Sequence, residues 1–473
     1  MNPPAAARRP TVAVIGGGFS GTLLALHLLR RCPASARIVL IERHGQFGRG
    51  PAYATGNPNH LLNVPAARMS AFHDQPGHFV EWLRRQPAGE ALVAQGFVPR
   101  RLFGAYVRHQ LSEEMKQPRH EGRLELLRGD VLGLSQTGSG LTLALDGDRW
   151  LPADLAVLAV GNFPPGPPAG AAPGFLDSAL YRPDPWSPET LAGLDPDAAV
   201  LLIGTGLTMV DLVVSLLDQG HRGPIHALSR RGLLPRRHAP GAAPVPLSQA
   251  AAPQAAALPA TLVELTRFLR AEARQATAGG ADWRAVVDRL RPFTQDLWQS
   301  LPAADKARFL RHLRPWWEVH RHRMAGPVAD RIEAARAEGQ LRLHTGRIQV
   351  LREEGGLAAL TFRRRDDGAS QTLAGARVVN CAGPGCDYDR IGHPLVRALL
   401  DTGLARPDEL RLGLDVTATC ALRDRRGGIS RRLFAMGPVT KAAFWEITAV
   451  PDIRRQCEAV AEHIAVIMRA TLT

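Results

Sequence analysis

Two glycine clusters in this chain have the spacing that brings a backbone close to phosphate. The first, Gly16-Gly17-Gly18-Phe19-Ser20-Gly21, follows the β-branched apolar run Thr11–Ile15 and precedes the apolar stretch 23–29. That order reads as strand, tight turn and helix. Gly16 permits the turn, Gly18 admits a pyrophosphate to the backbone, and Gly21 lets the helix close on the strand. Phe19 and Ser20 open the helix, whose first N–H groups favour an anion. Glu42, at the end of the next strand (38–41), supplies a carboxylate for ribose hydroxyls. The expected ligand of this first unit is FAD.

The second cluster, Gly204-Thr205-Gly206-Leu207-Thr208-Met209, again lies between an apolar strand (200–203) and a helix (211–217), with a further strand at 225–228. Met209 stands where the third glycine would be, so this helix is expected slightly farther from its strand. Glu42 lies 26 positions after Gly16, and 26 positions after Gly204 falls on Arg230, between Ser229 and Arg231. A guanidinium cannot accept from ribose hydroxyls but pairs well with a 2′-phosphate. The spacing therefore predicts NADPH, with a plain basic surface turn as the alternative.

The elements that must carry these clusters follow from the same patterns. Residues 11–42 make one βαβ unit, 154–160 form a buried strand ending at Gly161, and 163–173 are a Pro- and Gly-rich linker. Residues 239–260 are low-complexity Ala, Pro and Gln, read as a loop. From about 260 to 336 the pattern is helical, with Trp283, Trp298, Trp316 and Trp317 spaced along it, and residues 377–380 return to strand. The expected fold class is α/β, with two Rossmann-like dinucleotide-binding domains, the second inserted in the first. Residues 1–165 and 346–473 would form the FAD-binding domain. Residues 195–345 would form the NAD(P)H-binding domain with its helical insertion. The segment 453–468 is an amphipathic helix expected to pack on the core.

Length and composition bound the function. At 473 residues the chain holds about two or three domains. The formal charge is +14 with three lysines, so the positive charge is almost all arginine. No long arginine run alternates with aromatics, so nucleic-acid binding is not expected. No apolar stretch reaches the ~18 residues of a membrane helix. The N-terminus, Met1 to Pro10, lacks the apolar core of a secretory signal, which points to the cytoplasm. Five cysteines are too few for a disulfide framework. Cys381 and Cys386 have the spacing of some flavin disulfide reductases, but they bracket Ala-Gly-Pro-Gly late in the chain, where two packed thiols are expected. Zinc-ligand spacing, a P-loop lysine motif and a nucleophile elbow are all lacking, and no metal is expected.

The run Gly48-Arg49-Gly50-Pro51-Ala52-Tyr53, with His60-Leu61-Leu62-Asn63-Val64-Pro65 and Met69-Ser70, resembles a bacterial family of FAD/NAD(P)-binding proteins. That family is similar to class B flavin monooxygenases, including enzymes that hydroxylate amino groups of amino acids. The resemblance extends through Gly161-Asn162-Phe163-Pro164-Pro165, Trp316-Trp317 with His320-Arg321-His322-Arg323, Ala435-Met436-Gly437-Pro438 and Trp445-Glu446, and so covers most of the chain. It implies that 48–70 borders the flavin ring and that Gly437-Pro438 lies against its far end. Arg49, Gly161 and Gly437 then join the cofactor-binding set. Asn63 becomes the polar candidate for catalysis, a turn-stabilising Asn before Val64-Pro65 being the other reading. Val131 would touch adenine through its backbone, or be a buried strand residue. The helical region with Arg314, Trp316, Trp317, His320 and Arg323 would hold an acidic substrate or the nicotinamide, or be core. Phe163 lacks the Gly and His that follow it in Baeyer–Villiger enzymes, which argues against ketone oxygenation.

The resemblance implies an FAD-dependent, NADPH-utilising monooxygenase that acts with O2, through a flavin peroxide, on a small nucleophile such as an amine. The alternatives are an NAD(P)H-dependent flavin reductase or oxidase without oxygen transfer, and a flavin-binding protein with little activity.

Overall fold

The computed structural model describes residues 9–138, 140–239, 258–259 and 261–472. Most of the low-complexity segment 239–260, and the first eight residues of the N-terminal arm, lie outside the described residues. The chain divides into two compact units: Met1–Gly56, Val64–Phe163 and Cys386–Thr473 make the first, and Asn57–Asn63 with Pro164–Gly385 the second.

Chain order gives β1 (Thr11–Ile15), β2 (Arg37–Glu42), β3 (Leu124–Arg128), β4 (Val131–Gln136), β5 (Leu141–Leu145), β6 (Arg149–Ala153) and β7 (Leu155–Leu158) in the first unit. The second holds β8 (Tyr181–Arg182), β9 (Val200–Ile203), β10 (Ile225–Ser229), β11 (Leu341–Glu354), β12 (Leu357–Arg364), β13 (Ser370–Gly375) and β14 (Arg377–Asn380). The first unit then resumes with β15 (Ala421–Arg423) and β16 (Ile429–Ala435). β1 and β7 are buried at every position, the mark of parallel strands covered on both faces. They sit inside a sheet ordered β15-β16-β7-β1-β2-β3, parallel except for the β15 edge. β5 instead alternates buried and half-buried residues and lies in the antiparallel meander β4-β5-β6, with one face on the core.

The helix Phe19–Arg31 covers the first sheet, and its C-terminal carbonyls are capped by a buried side chain from far along the chain. The Arg123 guanidinium donates to the carbonyls of Leu29 (3.1 Å), Cys32 (3.1 Å) and Pro33 (3.0 Å), satisfying acceptors the helix leaves open. The expected C-terminal helix spans Val450–Leu472.

The second sheet runs β13-β12-β11-β10-β9-β14-β8. Its central strands are parallel, while β11, β12 and β13 form an antiparallel arm. This differs from the expected return to the first unit at residue 346. β11 continues past that point to pair with β12, and β14 pairs β9 on one side and β8 on the other, so the second unit extends to Gly385. The cause is long-range pairing that local pattern does not encode. The helical insertion has its own apolar cluster of Leu258, Leu265, Leu290 and Leu297, against which Phe293 and Trp317 pack. Two of its helices are capped from within: Thr261 Oγ1 accepts from Glu264 N (3.3 Å), and Asp282 Oδ1 from Arg284 N (2.8 Å).

His27 in the helix Phe19–Arg31 is 5% exposed. Burial, and then the charges of Arg31 and Arg30, push its pKa from 6.5 down to about 4. The unfolded chain takes up a proton below about pH 6.5 that the folded chain refuses, so stability is lost as pH falls from about 6.5 to 4. The loss amounts to on the order of 3 kcal/mol. His27→Leu, which cannot titrate, should flatten that part of the profile in denaturant unfolding measured at successive pH values. An unchanged pH slope would contradict the assignment.

Candidate functional site

The two glycine clusters fold into matching cradles, one in each unit. Gly16 has φ +109° and donates its N–H to the Ile41 carbonyl (2.9 Å). A Cβ there would overlap the carbonyl oxygen of Ala159, just past β7. Gly204 has φ +112° and donates to the Leu228 carbonyl (2.7 Å), and a Cβ there would overlap the Cys381 carbonyl. In both units the turn threads between the strands on either side of the first strand, at a closeness only glycine allows.

The next positions behave differently. Gly18 (φ −69°, ψ −164°) and Gly206 (φ −85°, ψ −169°) have backbone that any residue adopts. A Cβ on Gly18 would lie 3.7 Å from Gly50 Cα, and one on Gly206 would meet nothing within 4 Å. Each glycine caps a helix whose first amides receive no side-chain cap. Open space in front of uncapped helical N–H groups suits a diphosphate. Gly21 is structural: a Cβ there would overlap the Gly16 carbonyl. Met209, its counterpart, is fully buried.

Glu42 ends β2 beside the glycine turn. Its Oε2 accepts from Gly17 N (2.9 Å) and its Oε1 from His44 N (3.3 Å), which leaves lone pairs for other donors. Phe19 and Ser20 are buried at the helix start. The loop carrying Gly48-Arg49-Gly50 is fastened to this cradle by a residue the sequence reading passed over. Thr22 Oγ1 donates to the Gly17 carbonyl (3.0 Å) and accepts from Gly48 N (3.1 Å), while Gly48 N also reaches the Gly17 carbonyl (2.8 Å). Arg49 pairs with Gly18 through an isolated bridge. Its Nε is buried without a hydrogen-bond partner among the described residues. Burial, and then Arg108, lowers its guanidinium pKa. Arg49, Arg108, Ser112 and Lys116 line a cavity of about 560 Å³ with Leu111 and Leu126.

Gly437, from the far end of the chain, has φ +71°, and a Cβ there would come within 3.0 Å of Ser20 Oγ. Its N–H donates to Gln456 Oε1 (2.7 Å), Gln456 Nε2 donates to Thr440 Oγ1 (3.0 Å), and Thr440 Oγ1 donates back to the Gly437 carbonyl (2.8 Å). This closed ring fixes the turn beside the first cradle, and neither Gln456 nor Thr440 had a motif to announce it. Gly161 has φ +70° with open space around it. Val131 opens β4, its side chain in the core beside Leu145 and Ile41.

In the second unit the turn after β10 is already braced. Ser229 Oγ accepts from Gly232 N (2.9 Å) and lies 2.9 Å from Thr205 Oγ1, which also reaches the Leu233 carbonyl (2.6 Å). Thr205 Oγ1 is placed to donate to either acceptor, and Ser229 Oγ braces the turn after β10. Arg230 is exposed and Arg231 half-buried, with Arg231 Nη2 donating to the Arg311 carbonyl (3.3 Å).

Asn63 belongs with the second unit, not with the first as expected from its place inside 1–165. The short segment 57–63 is pulled there by polar contacts. Asn57 Nδ2 (2.7 Å) and Asn59 Nδ2 (3.0 Å) donate to Asp218, and His60 Nε2 lies 2.9 Å from both the Asp211 carbonyl and Ser215 Oγ. The Asn63 carbonyl contacts His238 Nε2 at 3.0 Å. Burial pushes His238 down to about 4, so its neutral ring carries the proton on Nε2.

In the insertion, Trp283 meets His320 edge-on at 4.8 Å and Arg284 lies over its ring at 4.5 Å. Trp298 is buried and Trp316 is 43% exposed. Arg323 is buried against Asp288. Cys381 and Cys386 are free thiols. Cys381 is buried and its thiol is pushed well up by that burial, which removes it as a nucleophile.

Two parallel sheets, each with a strand–glycine turn–helix cradle, define a dinucleotide-binding flavoprotein fold. Residues 13–163 match the FAD-NAD(P)-binding family model. The whole chain has the fold of flavin-dependent oxidoreductases. It is similar to the ornithine hydroxylase PvdA from Pseudomonas aeruginosa, with TM-score 0.63 and 14% identity over 97% of this chain and 99% of that one. It is similar to an L-lysine 6-monooxygenase from Pseudomonas syringae, with TM-score 0.65 and 13% identity over 98% and 100%. A bacillithiol disulfide reductase from Staphylococcus aureus matches with TM-score 0.56 and 12% identity over 97% and 98%. No curated protein aligns with the sequence at a significant level. Among the described residues, no helix is long and apolar enough to cross a membrane.

The glycine geometry separates architecture from ligand space. Gly21→Ala should cost about 1–3 kcal/mol or more by forcing the helix from Gly16, whereas Gly206→Ala should change stability by less than about 0.5 kcal/mol. Denaturant unfolding of the two variants against wild type checks this, and equal losses would contradict it.

Proposed function

We propose that this protein is an FAD-dependent oxidoreductase that draws electrons from NADPH and uses O2 to oxygenate a small nucleophilic substrate, an amine. The observation that carries the reading is the doubled cradle: two dinucleotide-shaped sites on one chain, with different chemistry at the ribose end, Glu42 in one and Arg230 in the other. In this reading the NADPH-binding domain is inserted in the FAD-binding one, and the enzyme works in the cytoplasm. The amine is favoured by two proteins of similar fold, an ornithine hydroxylase and an L-lysine 6-monooxygenase.

When bound, FAD supplies the passage of two electrons from the nicotinamide to oxygen. The chain's own residues bind and orient. Gly16, Gly18, Phe19, Ser20 and Gly21 present the helix N-terminus to the FAD diphosphate, Glu42 accepts from its ribose, and the Arg49 guanidinium neutralises phosphate charge. Val131, Gly161 and Gly437 line the path of FAD through their backbones. Gly204 and Gly206 present the second helix to NADPH, with Arg230 and Arg231 at its 2′-phosphate. Asn63 is the polar residue assigned to the substrate.

The purified protein should take up FAD, and Gly18→Val should abolish uptake, because its side chain, at contact distance from Gly50, fills the space in front of the helix N-terminus. With an accepted amine, hydroxylated product should form in proportion to NADPH consumed. Hydrogen peroxide as the sole product with every amine tried would leave a flavin oxidase, and absence of FAD uptake by the wild type would overturn the reading. Arg230→Glu should weaken NADPH roughly ten- to hundredfold in kcat/KM and leave NADH unchanged or improved. Equal losses for both nucleotides would remove Arg230 from the site.

A further inference from the structure

We infer that Arg365, on the turn between β12 and β13, is a third determinant of specificity for a 2′-phosphorylated nucleotide, acting beside Arg230 and Arg231. The inference rests on the NADPH reading above and names a residue that reading did not contain.

Strand register carries Arg365 there. In the parallel pair β10–β11, Ser229 lies opposite Thr345, and in the antiparallel pair β11–β12, Gly346 lies opposite Arg364. The next residue, Arg365, therefore falls opposite Thr345, and its N–H donates to the Thr345 carbonyl (3.0 Å). Two strands away from β10, Arg365 is in line with the end of that strand. Its side chain closes the remaining distance: Nη1 donates to the Arg230 carbonyl at 3.3 Å, across 135 residues of sequence. The turn cannot drift from this arm, because Gly232 (φ +61°) is so close to Thr345 that a Cβ would overlap the hydroxyl.

Charge gives the second argument. The hairpin carries Asp366 and Asp367, but both are engaged by Arg364, at 2.5 Å and 3.5 Å. Arg365 is left uncompensated. Arg231 and Arg365 donate to backbone carbonyls, and none of Arg230, Arg231 and Arg365 shows a carboxylate partner among the described residues. Elsewhere the chain pairs its surface arginines readily, as in Arg222 with Asp197 and Arg352 with Glu354. Three arginines are thus brought to the end of β10, where their positive charge suits an anion. The ribose end of a nucleotide seated on Gly206 brings its 2′-phosphate to that strand end. A guanidinium already aimed at a neighbouring oxygen is well placed for the charge-assisted contact.

The test uses the FAD-loaded protein and two probes, adenosine 2′,5′-bisphosphate and 5′-AMP, titrated by calorimetry. Wild type should prefer the bisphosphate, and Arg365→Ala should narrow that preference roughly tenfold while leaving 5′-AMP unchanged. Arg365→Lys, which keeps the charge without the fork, should fall between, and added salt should erode the preference in wild type more than in Arg365→Ala. If Arg365→Ala keeps the wild-type preference while Arg230→Ala loses it, the inference fails and the NADPH reading stands. If the wild type itself does not distinguish the two probes, both fail together.

Discussion

A carbonyl oxygen pressed against a glycine Cα governs both halves of this protein. In the first unit the oxygen belongs to Ala159 and the glycine is Gly16, and in the second they are Cys381 and Gly204. The contact sets the turn so tightly that φ must be positive, and it follows from the strand order, since in each sheet the strand leading into the glycine turn lies between two parallel neighbours. With the turn held low, the following helix starts with its amides uncapped and facing open space. The anion-binding property of each cradle is a consequence of that packing.

The same constraint explains why the glycines are unequal. Gly16, Gly21 and Gly204 are required by the protein's own atoms, while Gly18 and Gly206 have room around them. Where the protein leaves space at the mouth of a helix, the glycine serves something the chain does not contain. The second unit dispenses with the third glycine and buries Met209 at its position, so its helix is held by side-chain packing rather than by backbone contact.

Arginine does two kinds of work here, and composition alone does not separate them. Arg123 and Arg377 are buried and spend their donors on backbone carbonyls: Leu29, Cys32 and Pro33 for one, Thr190 and Ala192 for the other. Such residues close helix ends and loops, and add to the net charge of +14 without making a surface for polyanions. Arg49 in the first unit, and Arg230, Arg231 and Arg365 in the second, show no carboxylate partner among the described residues.

The sequence by itself determined the parts that depend on neighbours in the chain. Buried strands, the helices that follow them, the glycine turns and the acid at the end of β2 are local patterns of periodicity and spacing, and the fold adds a bond from Gly17 N to Glu42. The same counting in the second unit leads to Arg230, in the turn after β10. Tertiary structure decided whatever depended on pairing between distant segments. β11 to β14 joined the second sheet because their hydrogen-bond partners are there, and 57–63 went to the second unit because Asp218 accepts from Asn57 and Asn59. Ser229 was committed to the turn by Thr205 and Gly232. Gln456 and Arg365 acquired their roles from contacts closed across the fold, which leave no periodicity to read because a side chain's partner is set by where the backbone brings it.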